Sequence, residues 1–256
     1  MELHLHAWGD PTAPPVVCLH GVSAHGRRFR KLAEERLASR FRVLAPDLRG
    51  HGFSEWEPPW TIATHAHDVL ETLDARGIRR ASFIGHSFGG RLILELAALD
   101  AERIERAVLL DPAIQILPHV GYDFAELERV DRTFASPDEA IDARVAETAS
   151  PRSFIEEDVR EHLAQGSGGR FQFRYCRSAV VSLFGELCTP PPPPETLRVP
   201  MLLVHAEVFG LVREEQLEAY RLALGDLIEI VAVRGGHVVY WDAFDATADA
   251  VERFLS

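Results

Sequence analysis

Ser87 stands between small residues in the sequence Gly-His-Ser-Phe-Gly-Gly at residues 85–90. This G-x-S-x-G pattern follows the apolar run Ala81 to Ile84 and precedes the apolar stretch Arg91 to Leu99. A sharp turn between a strand and a helix exposes the middle side chain of such a motif, and glycine allows the close packing that the turn requires. The spacing therefore predicts that Ser87 is a nucleophile.

A nucleophilic serine needs a general base, and His237 is the best candidate among the 12 histidines. It follows the last apolar run, behind two glycines that allow a loop to fold back over a cleft. The order serine, acid, histidine along the chain is also one of the known orders of a catalytic triad. As a base, His237 would accept the Ser87 proton and later donate it to the leaving group.

Backbone N–H groups near the serine could stabilise a negatively charged substrate oxygen. The sequence His20-Gly21-Val22 ends the apolar run that begins at Pro15, and its glycine allows N–H groups to face a cleft. We expect the N–H groups of Val22 and Phe88 to form this oxyanion hole. His20 itself is predicted to be a structural residue.

The elements that must position these residues alternate along the chain. Near-continuous apolar runs predict strands buried on both faces of a parallel sheet, and helical patterns lie between them, so the fold class is α/β with helices on both sides of an open sheet. Ligand sites in such sheets lie at the carboxyl ends of the strands. The predicted strands are Pro15 to His20, Phe41 to Ala45, Ala81 to Ile84, Ile104 to Leu110, Met201 to His205 and Leu227 to Val233, and the helices are 27–39, 61–76, 87–99, 213–224 and 240–255.

The alternation stops between Pro112 and Val199, where only amphipathic stretches occur, including 136–147 and 153–164. We interpret residues 112–199 as an insertion above the sheet, with residues 1–111 and 200–256 forming the core. Two or three aromatic side chains pointing down from the insertion would make an apolar pocket. The predicted pocket residues are His25, Phe173, Tyr175 and Trp241.

The composition restricts the partners. The 256 residues carry a formal net charge of −12, which argues against nucleic acid or an anionic membrane surface as a partner. The three cysteines cannot all pair, and the sequence has neither a visible secretory signal nor an apolar run of about 20 residues. These features predict a cytoplasmic protein with a small-molecule substrate, as a monomer or a homodimer.

Metal and cofactor motifs have little support. His4 and His6 would share one face of a strand, but no third ligand is obvious nearby in sequence. His65 and His67 would point about 200° apart on a helix. The glycines around Ser87 lack the Lys-Ser/Thr ending of a phosphate-binding loop. We therefore predict no metal and no cofactor.

Four motifs together resemble the α/β-hydrolase fold family over nearly the whole chain: His20-Gly21, residues 47–54 (DLRGHGFS), residues 85–90 and Gly236-His237. The resemblance implies an open, mostly parallel sheet, with residues 112–199 as a helical cap. Residues 3–8 match the family's second strand better than its first, so the usual eight-stranded sheet is expected to lack an edge strand. Residues 47–54 are expected to brace the loops without a chemical role.

The acid of the triad is the open question. The family usually places it after the penultimate strand in a pattern like G-x-x-D, but here that stretch reads Ala-Glu-Val-Phe at 206–209, so Phe209 occupies the acid position. Asp111, at the end of the strand after the nucleophile helix, is the preferred substitute. Glu207 is the alternative, with a longer side chain. An aspartate before proline can also simply cap a turn.

The resemblance implies a serine hydrolase of carboxylesterase type, which cleaves a small, largely apolar ester or lactone through an acyl-enzyme on Ser87. Carbon–carbon bond hydrolases share this fold and are an alternative. Phe209 motivates another alternative, a small-molecule binding protein with little or no catalysis. Dehalogenases and epoxide hydrolases normally carry aspartate at the position of Ser87, so we set them aside.

Overall fold

A seven-stranded sheet forms the centre of the protein in a computed structural model that describes residues 1–130, 132–166 and 168–256. The strands in chain order are β1 (Leu5–Trp8), β2 (Pro15–Leu19), β3 (Arg42–Pro46), β4 (Ala81–His86), β5 (Ile104–Leu110), β6 (Leu163–Gln165), β7 (Phe171–Phe173), β8 (Met201–Ala206) and β9 (Ile228–Val233). The order in the sheet is β1-β3-β2-β4-β5-β8-β9. Its strand pairs are parallel apart from β1, which is antiparallel to β3 at the edge. The strands β6 and β7 form a separate antiparallel pair.

Ten α-helical segments accompany the strands in the described part of the chain. They are α1 (Arg30–Leu32), α2 (Ile62–Asp74), α3 (Phe88–Asp100), α4 (Pro118–Arg129), α5 (Pro137–Glu147), α6 (Arg152–His162), α7 (Arg177–Glu186), α8 (Glu214–Leu224), α9 (Val239–Asp242) and α10 (Phe244–Leu255). Within that part, none is both long and apolar enough to cross a membrane.

The predicted α/β fold class is confirmed, with seven strands in the sheet of the described residues, and the six predicted strands end within two residues of the observed ones. Two predicted helices differ. The region 27–39 divides into a 3₁₀ turn, the short α1 and a π-helical turn. The region 240–255 breaks at Ala243, whose non-helical φ of −134° and ψ of 51° separate α9 from α10.

Both faces of the sheet are covered, which explains why its strands are near-continuous apolar runs. In β2, Val17 and Leu19 pack with α2, α3 and α8 on one face. Val16 and Cys18 point to the other face, where α1, α9 and α10 lie. Alternate residues of a strand face opposite sides, so a strand buried on both sides offers few positions for polar side chains. Polar side chains are therefore expected mainly at the carboxyl edge of the sheet and in the loops that follow the strands.

The segment between β5 and β8 contains α4 to α7 and the β6–β7 pair. It has an apolar cluster of its own, and Val22 of the core packs against that cluster. Backbone hydrogen bonds join it to the loop after β3, from Gly52 N–H to the Arg174 carbonyl at 2.8 Å and from Cys176 N–H to the Gly50 carbonyl at 2.7 Å. This segment therefore lies against the loops at the carboxyl edge of the core.

Two predicted helix starts in this segment have different outcomes. The Ser136 side chain accepts a hydrogen bond from Glu139 N–H at 3.2 Å, which caps α5 at the start of the stretch 136–147. Ser153 does not cap α6, because that helix begins one residue earlier, directly after Pro151. Proline is favourable near a helix start, since its fixed φ suits the first turn and its missing N–H is not needed there.

Candidate active site

Ser87 lies at the sharp turn between β4 and α3, with a positive φ of 52°. A non-glycine residue in this region is strained and persists only where its surroundings fix it. Here Ser87 N–H donates to the Leu110 carbonyl at 3.0 Å. A Cβ atom at Gly85 would lie 2.3 Å from the Gly89 carbonyl oxygen, and one at Gly89 would lie 2.0 Å from the Leu19 carbonyl oxygen. The two glycines of the motif therefore allow the helix to pack against the strands.

Asp111 and His237 meet at the same edge of the sheet. The Asp111 Oδ2 and His237 Nδ1 atoms are 2.6 Å apart. Asp111 is fully buried directly after β5, and its other oxygen accepts Ala206 N–H at 3.1 Å. A carboxylate only accepts hydrogen bonds, so Nδ1 carries the proton and Nε2 is left free to act as a base.

His237 is held between two aromatic side chains. His86, the residue before Ser87, donates from Nε2 to the His237 carbonyl oxygen at 2.9 Å, and the two rings are 4.6 Å apart. Burial lowers the pKa of His86 well below its usual value, so His86 is neutral and does not repel a protonated His237. On the other side, Phe209 stacks on the imidazole at 4.7 Å. The residue at the usual acid position therefore contacts the face of the base.

Glu207, the alternative acid, points elsewhere. Its carboxylate is about half exposed, and its Oε2 lies 3.6 Å from Arg234 Nε. Its backbone N–H donates to the Val233 carbonyl at 3.1 Å and so continues the pairing of β8 with β9. Of the two predicted acids, the structure brings Asp111 to His237.

The two predicted oxyanion donors lie on segments that flank the serine. A Cβ atom at Gly21 would lie 3.1 Å from Ser87 Cβ, so the backbone just before Val22 runs against Ser87. Phe88 is the first residue of α3, and the first N–H groups of a helix have no acceptor within it. Such a helix start also favours negative charge.

Buried histidines brace these loops. His20 accepts Leu48 N–H at Nε2, at 2.9 Å, and donates from Nδ1 to the Gly21 carbonyl. His51 accepts Ser23 N–H at 3.2 Å. Burial lowers the pKa of His51 to about 4, so it stays neutral and can accept this bond near neutral pH. Hydrogen bonds to the loop that follows β3 therefore hold the loop that contains Gly21 in place.

The predicted pocket residues make contacts with the protein itself. His25 Nε2 is 2.7 Å from Asp158 Oδ1, and Trp241 Nε1 donates to the Arg28 carbonyl at 3.1 Å. Phe173 and Tyr175 stack on each other within the cluster of the β5–β8 segment. Their role as pocket residues stays a prediction.

Sequence reasoning missed a charged network under this segment. Arg28 donates to both oxygens of Asp158, each at 2.8 Å, in addition to the His25 contact. Burial opposes ionisation of Asp158, but Arg28 and His25 outweigh it and hold its pKa well below the usual range. No local pattern reveals this network, because Arg28 and Asp158 are 130 residues apart in the chain.

Comparison with known proteins agrees with this architecture. Residues 14–154 match the family model of the alpha/beta hydrolase fold, and the chain belongs to that family. Lipase LipV of Mycobacterium tuberculosis is 31% identical over 249 residues, which cover 93% of this chain and 92% of LipV. Esterase YbfF of Escherichia coli is 35% identical over 149 residues, which cover 58% of this chain and 54% of YbfF. The protein is thus a hydrolase of the α/β fold with lipase and esterase relatives.

Solved structures share the whole fold. The crystal structure of E-2-(acetamidomethylene)succinate hydrolase superposes with a TM-score of 0.90 at 20% identity, and the match covers 99% of this chain and 94% of that one. At this identity the likeness concerns the fold.

Proposed function

We propose that this protein is a serine hydrolase that cleaves a small, largely apolar ester or lactone through an acyl-enzyme on Ser87. The observation that carries the proposal is the 2.6 Å contact between the buried Asp111 carboxylate and His237 at the sheet edge where Ser87 is held in its strained turn. The relatives named lipase and esterase support an ester substrate.

In the first half-reaction, His237 Nε2 takes the proton of Ser87 as Oγ attacks the substrate carbonyl carbon. The N–H groups of Val22 and Phe88 stabilise the negative oxygen of the tetrahedral intermediate. The bond to the alcohol oxygen breaks, and His237 donates its proton to that oxygen. Asp111 orients the imidazole throughout and stabilises its protonated form.

In the second half-reaction, water attacks the acyl carbon while His237 accepts a proton from it. The bond to Ser87 Oγ breaks, the proton returns to Oγ, and the carboxylic acid leaves. A lactone follows the same steps, except that the alcohol and the acid leave as one hydroxy acid.

The alternative of a non-catalytic binding protein depended on the lack of an acid beside His237. The contact of Asp111 with His237 supports catalysis over that alternative, because it supplies the orienting carboxylate that the Phe209 position lacks. Phe209 then has a different role, because its ring packs on the His237 imidazole.

The test is turnover of short-chain p-nitrophenyl esters and of a simple lactone, together with labelling by a fluorophosphonate probe. We expect labelling at Ser87, identified by peptide mass spectrometry, and its loss in Ser87→Ala. That variant should lose about 10⁴-fold or more in kcat. Ser82→Ala, on the strand just before the motif, is the matched control. A folded wild-type protein that is neither labelled nor active on any of these esters would overturn the proposal.

A further inference from the structure

A second group of chemically competent side chains lies at the free edge of the sheet. We propose that His4, His6 and Asp47 bind one divalent transition-metal ion, with zinc as the preferred ion. The proposal is independent of the function proposed for Ser87. In sequence the two histidines have no third ligand near them, and the fold supplies it from the next strand.

The antiparallel pairing of β1 with β3 creates the site. Leu5 is opposite Pro46 in this ladder, so the same register places His4 opposite Asp47. A backbone hydrogen bond from Asp47 N–H to the His4 carbonyl, at 2.9 Å, continues the ladder to this pair. Residues opposite each other and residues two apart on one strand share a face. The three side chains therefore project from the same face.

The ligand atoms are close enough to share one ion. One nitrogen of each imidazole and one oxygen of Asp47 all lie within 4.8 Å of one another. His6 Nε2 and Asp47 Oδ1 are 3.2 Å apart. Two ligands of a tetrahedral zinc ion, each about 2.1 Å from it, are about 3.4 Å apart. Binding therefore requires only small side-chain rotations.

Asp47 is a fixed anchor in this site. It is fully buried, and its two oxygens accept N–H groups from Gly26 at 2.8 Å and Phe53 at 3.0 Å. Hydrogen bonds of this kind orient a metal-binding carboxylate. The carboxylate retains lone pairs for an ion, because each oxygen can accept more than one bond.

The histidines are also oriented, and the site is open on one side. The Phe53 ring packs 5.2 Å from the His4 ring, and the Trp8 ring stacks 6.3 Å from the His6 ring. His4 is exposed and His6 is half-buried, so an ion can enter from solvent and keep water in its remaining coordination position. A set of two imidazoles and one carboxylate favours zinc and its neighbours over calcium and magnesium, which prefer oxygen ligands.

The position suggests a structural role. In the sheet, β3 and β2 separate β1 from β4, the strand that leads to Ser87. A bound ion would tie β1 to the end of β3, and through the Asp47 contact to Gly26 it would also steady the loop that continues from Gly21. We therefore expect zinc to raise the thermal stability of the protein without entering the chemistry at Ser87.

The test is titration of the tag-free, chelator-treated chain with zinc chloride, followed by calorimetry and thermal unfolding. We expect one zinc ion per chain to bind stoichiometrically at micromolar protein concentration, with a rise in Tm, and calcium chloride to have no such effect. His4→Ala and His6→Ala should each weaken zinc binding at least about tenfold. His67→Ala and His119→Ala, which remove exposed histidines on α2 and α4, should leave it unchanged.

The outcomes separate the zinc site from the proposed hydrolase activity. Ser87→Ala should bind zinc as the wild type does, and His4→Ala should retain ester hydrolysis. The metal proposal is overturned if the wild type binds no zinc, if the double variant H4A/H6A binds it equally well, or if the control histidines cause the same loss. In each of these cases the His6–Asp47 contact is only a hydrogen bond that braces the loop.

Discussion

Two buried aspartates of this protein each hold a histidine at nearly the same distance. Asp111 lies 2.6 Å from His237 at the carboxyl edge of the sheet, and Asp158 of α6 lies 2.7 Å from His25, where the β5–β8 segment meets the core. The first pair lies at the sheet edge where Ser87 occupies the strained turn of the G-x-S-x-G motif. The contact distance alone therefore does not distinguish a catalytic pair from a structural one.

The surroundings of the two carboxylates differ. Asp158 also accepts two hydrogen bonds from Arg28, so the guanidinium charge already compensates its negative charge. Asp111 has a single backbone N–H besides His237 in the described part of the chain. The imidazoles differ as well, because the His237 side chain is 26% exposed whereas His25 is buried against His162. A catalytic histidine needs a carboxylate whose charge is not already neutralised by an arginine, and a second ring nitrogen that is accessible to the substrate.

The largest expected effect comes from removing the charge of Asp111. Asp111→Asn should lower kcat for p-nitrophenyl esters by about 10⁴-fold, because an amide can donate to Nδ1 and so stabilise the wrong tautomer of His237. Glu207→Gln is the matched control at the alternative acid position and should retain nearly full activity. Steady-state kinetics of the two variants decide between the acids. A larger loss in Glu207→Gln would reverse the assignment.

The second effect concerns the structural pair and should appear in stability. Asp158→Ala leaves the Arg28 guanidinium buried without its partner, and breaking a buried ion pair in this way costs about 3–5 kcal/mol. The free energy of unfolding, measured in urea, should fall by that amount. Arg152→Ala removes an exposed salt bridge with Glu156 and should cost less than about 1 kcal/mol. A small effect of Asp158→Ala on the free energy of unfolding would show that the Asp158 pair does not have the structural role assigned to it here.

Local patterns in the sequence predicted Ser87 and His237, left the acid open between Asp111 and Glu207, and did not reveal the Asp158–His25 pair. Ser87 lies between Gly85 and Gly89 in its motif and His237 follows two glycines, each shortly after an apolar run, so the chemistry coincides with a turn signal. The strands were predictable for the same reason, since burial on both faces requires continuous apolar runs. The α4 and α7 helices and the β6–β7 pair were missed, because their packing depends on the separate cluster of their own segment.

Contacts between distant parts of the chain were not predictable. Whether Asp111 or Glu207 reaches His237 depends on the direction of the loop after β8, which the Arg234 contact and the pairing with β9 determine. Asp47 joins His6 over 41 residues, through the register of an edge strand. Single residues at such positions leave no periodic pattern in the sequence.

The next effect is a pH dependence of stability that arises beside the structural pair. Burial lowers the pKa of His162 well below its usual value, and its Nε2 has no hydrogen-bond partner among the described residues. It stacks on His25, close to Arg28 and Asp158. Below about pH 6.5 the unfolded chain binds a proton there that the folded chain does not, so stability falls as the pH falls.

His162→Phe should therefore reduce the acid sensitivity. The free energy of unfolding, measured in urea at about pH 7 and about pH 5.5, should fall less in this variant, by about 1.4 kcal/mol for each pH unit below the unfolded-state pKa. His67→Phe changes an exposed histidine of α2 and should keep the wild-type pH dependence. Equal pH dependence in His162→Phe and the wild type would show that His162 is not the group responsible.

The smallest effect tests the aromatic contact that marks the catalytic pair. The Phe209 ring lies 4.7 Å from the His237 imidazole at an angle of 17°, and such contacts contribute about 0.5–1.5 kcal/mol. Phe209→Leu keeps an apolar side chain but loses the stacking, so kcat should fall by about two- to tenfold and the free energy of unfolding by no more than about 1.5 kcal/mol. Phe154→Leu is the matched control, because Phe154 stacks on Trp241 and away from His237. If Phe209→Leu has no effect on kcat, Asp111 alone positions the base, and the residue at the family's usual acid position serves only to cover it.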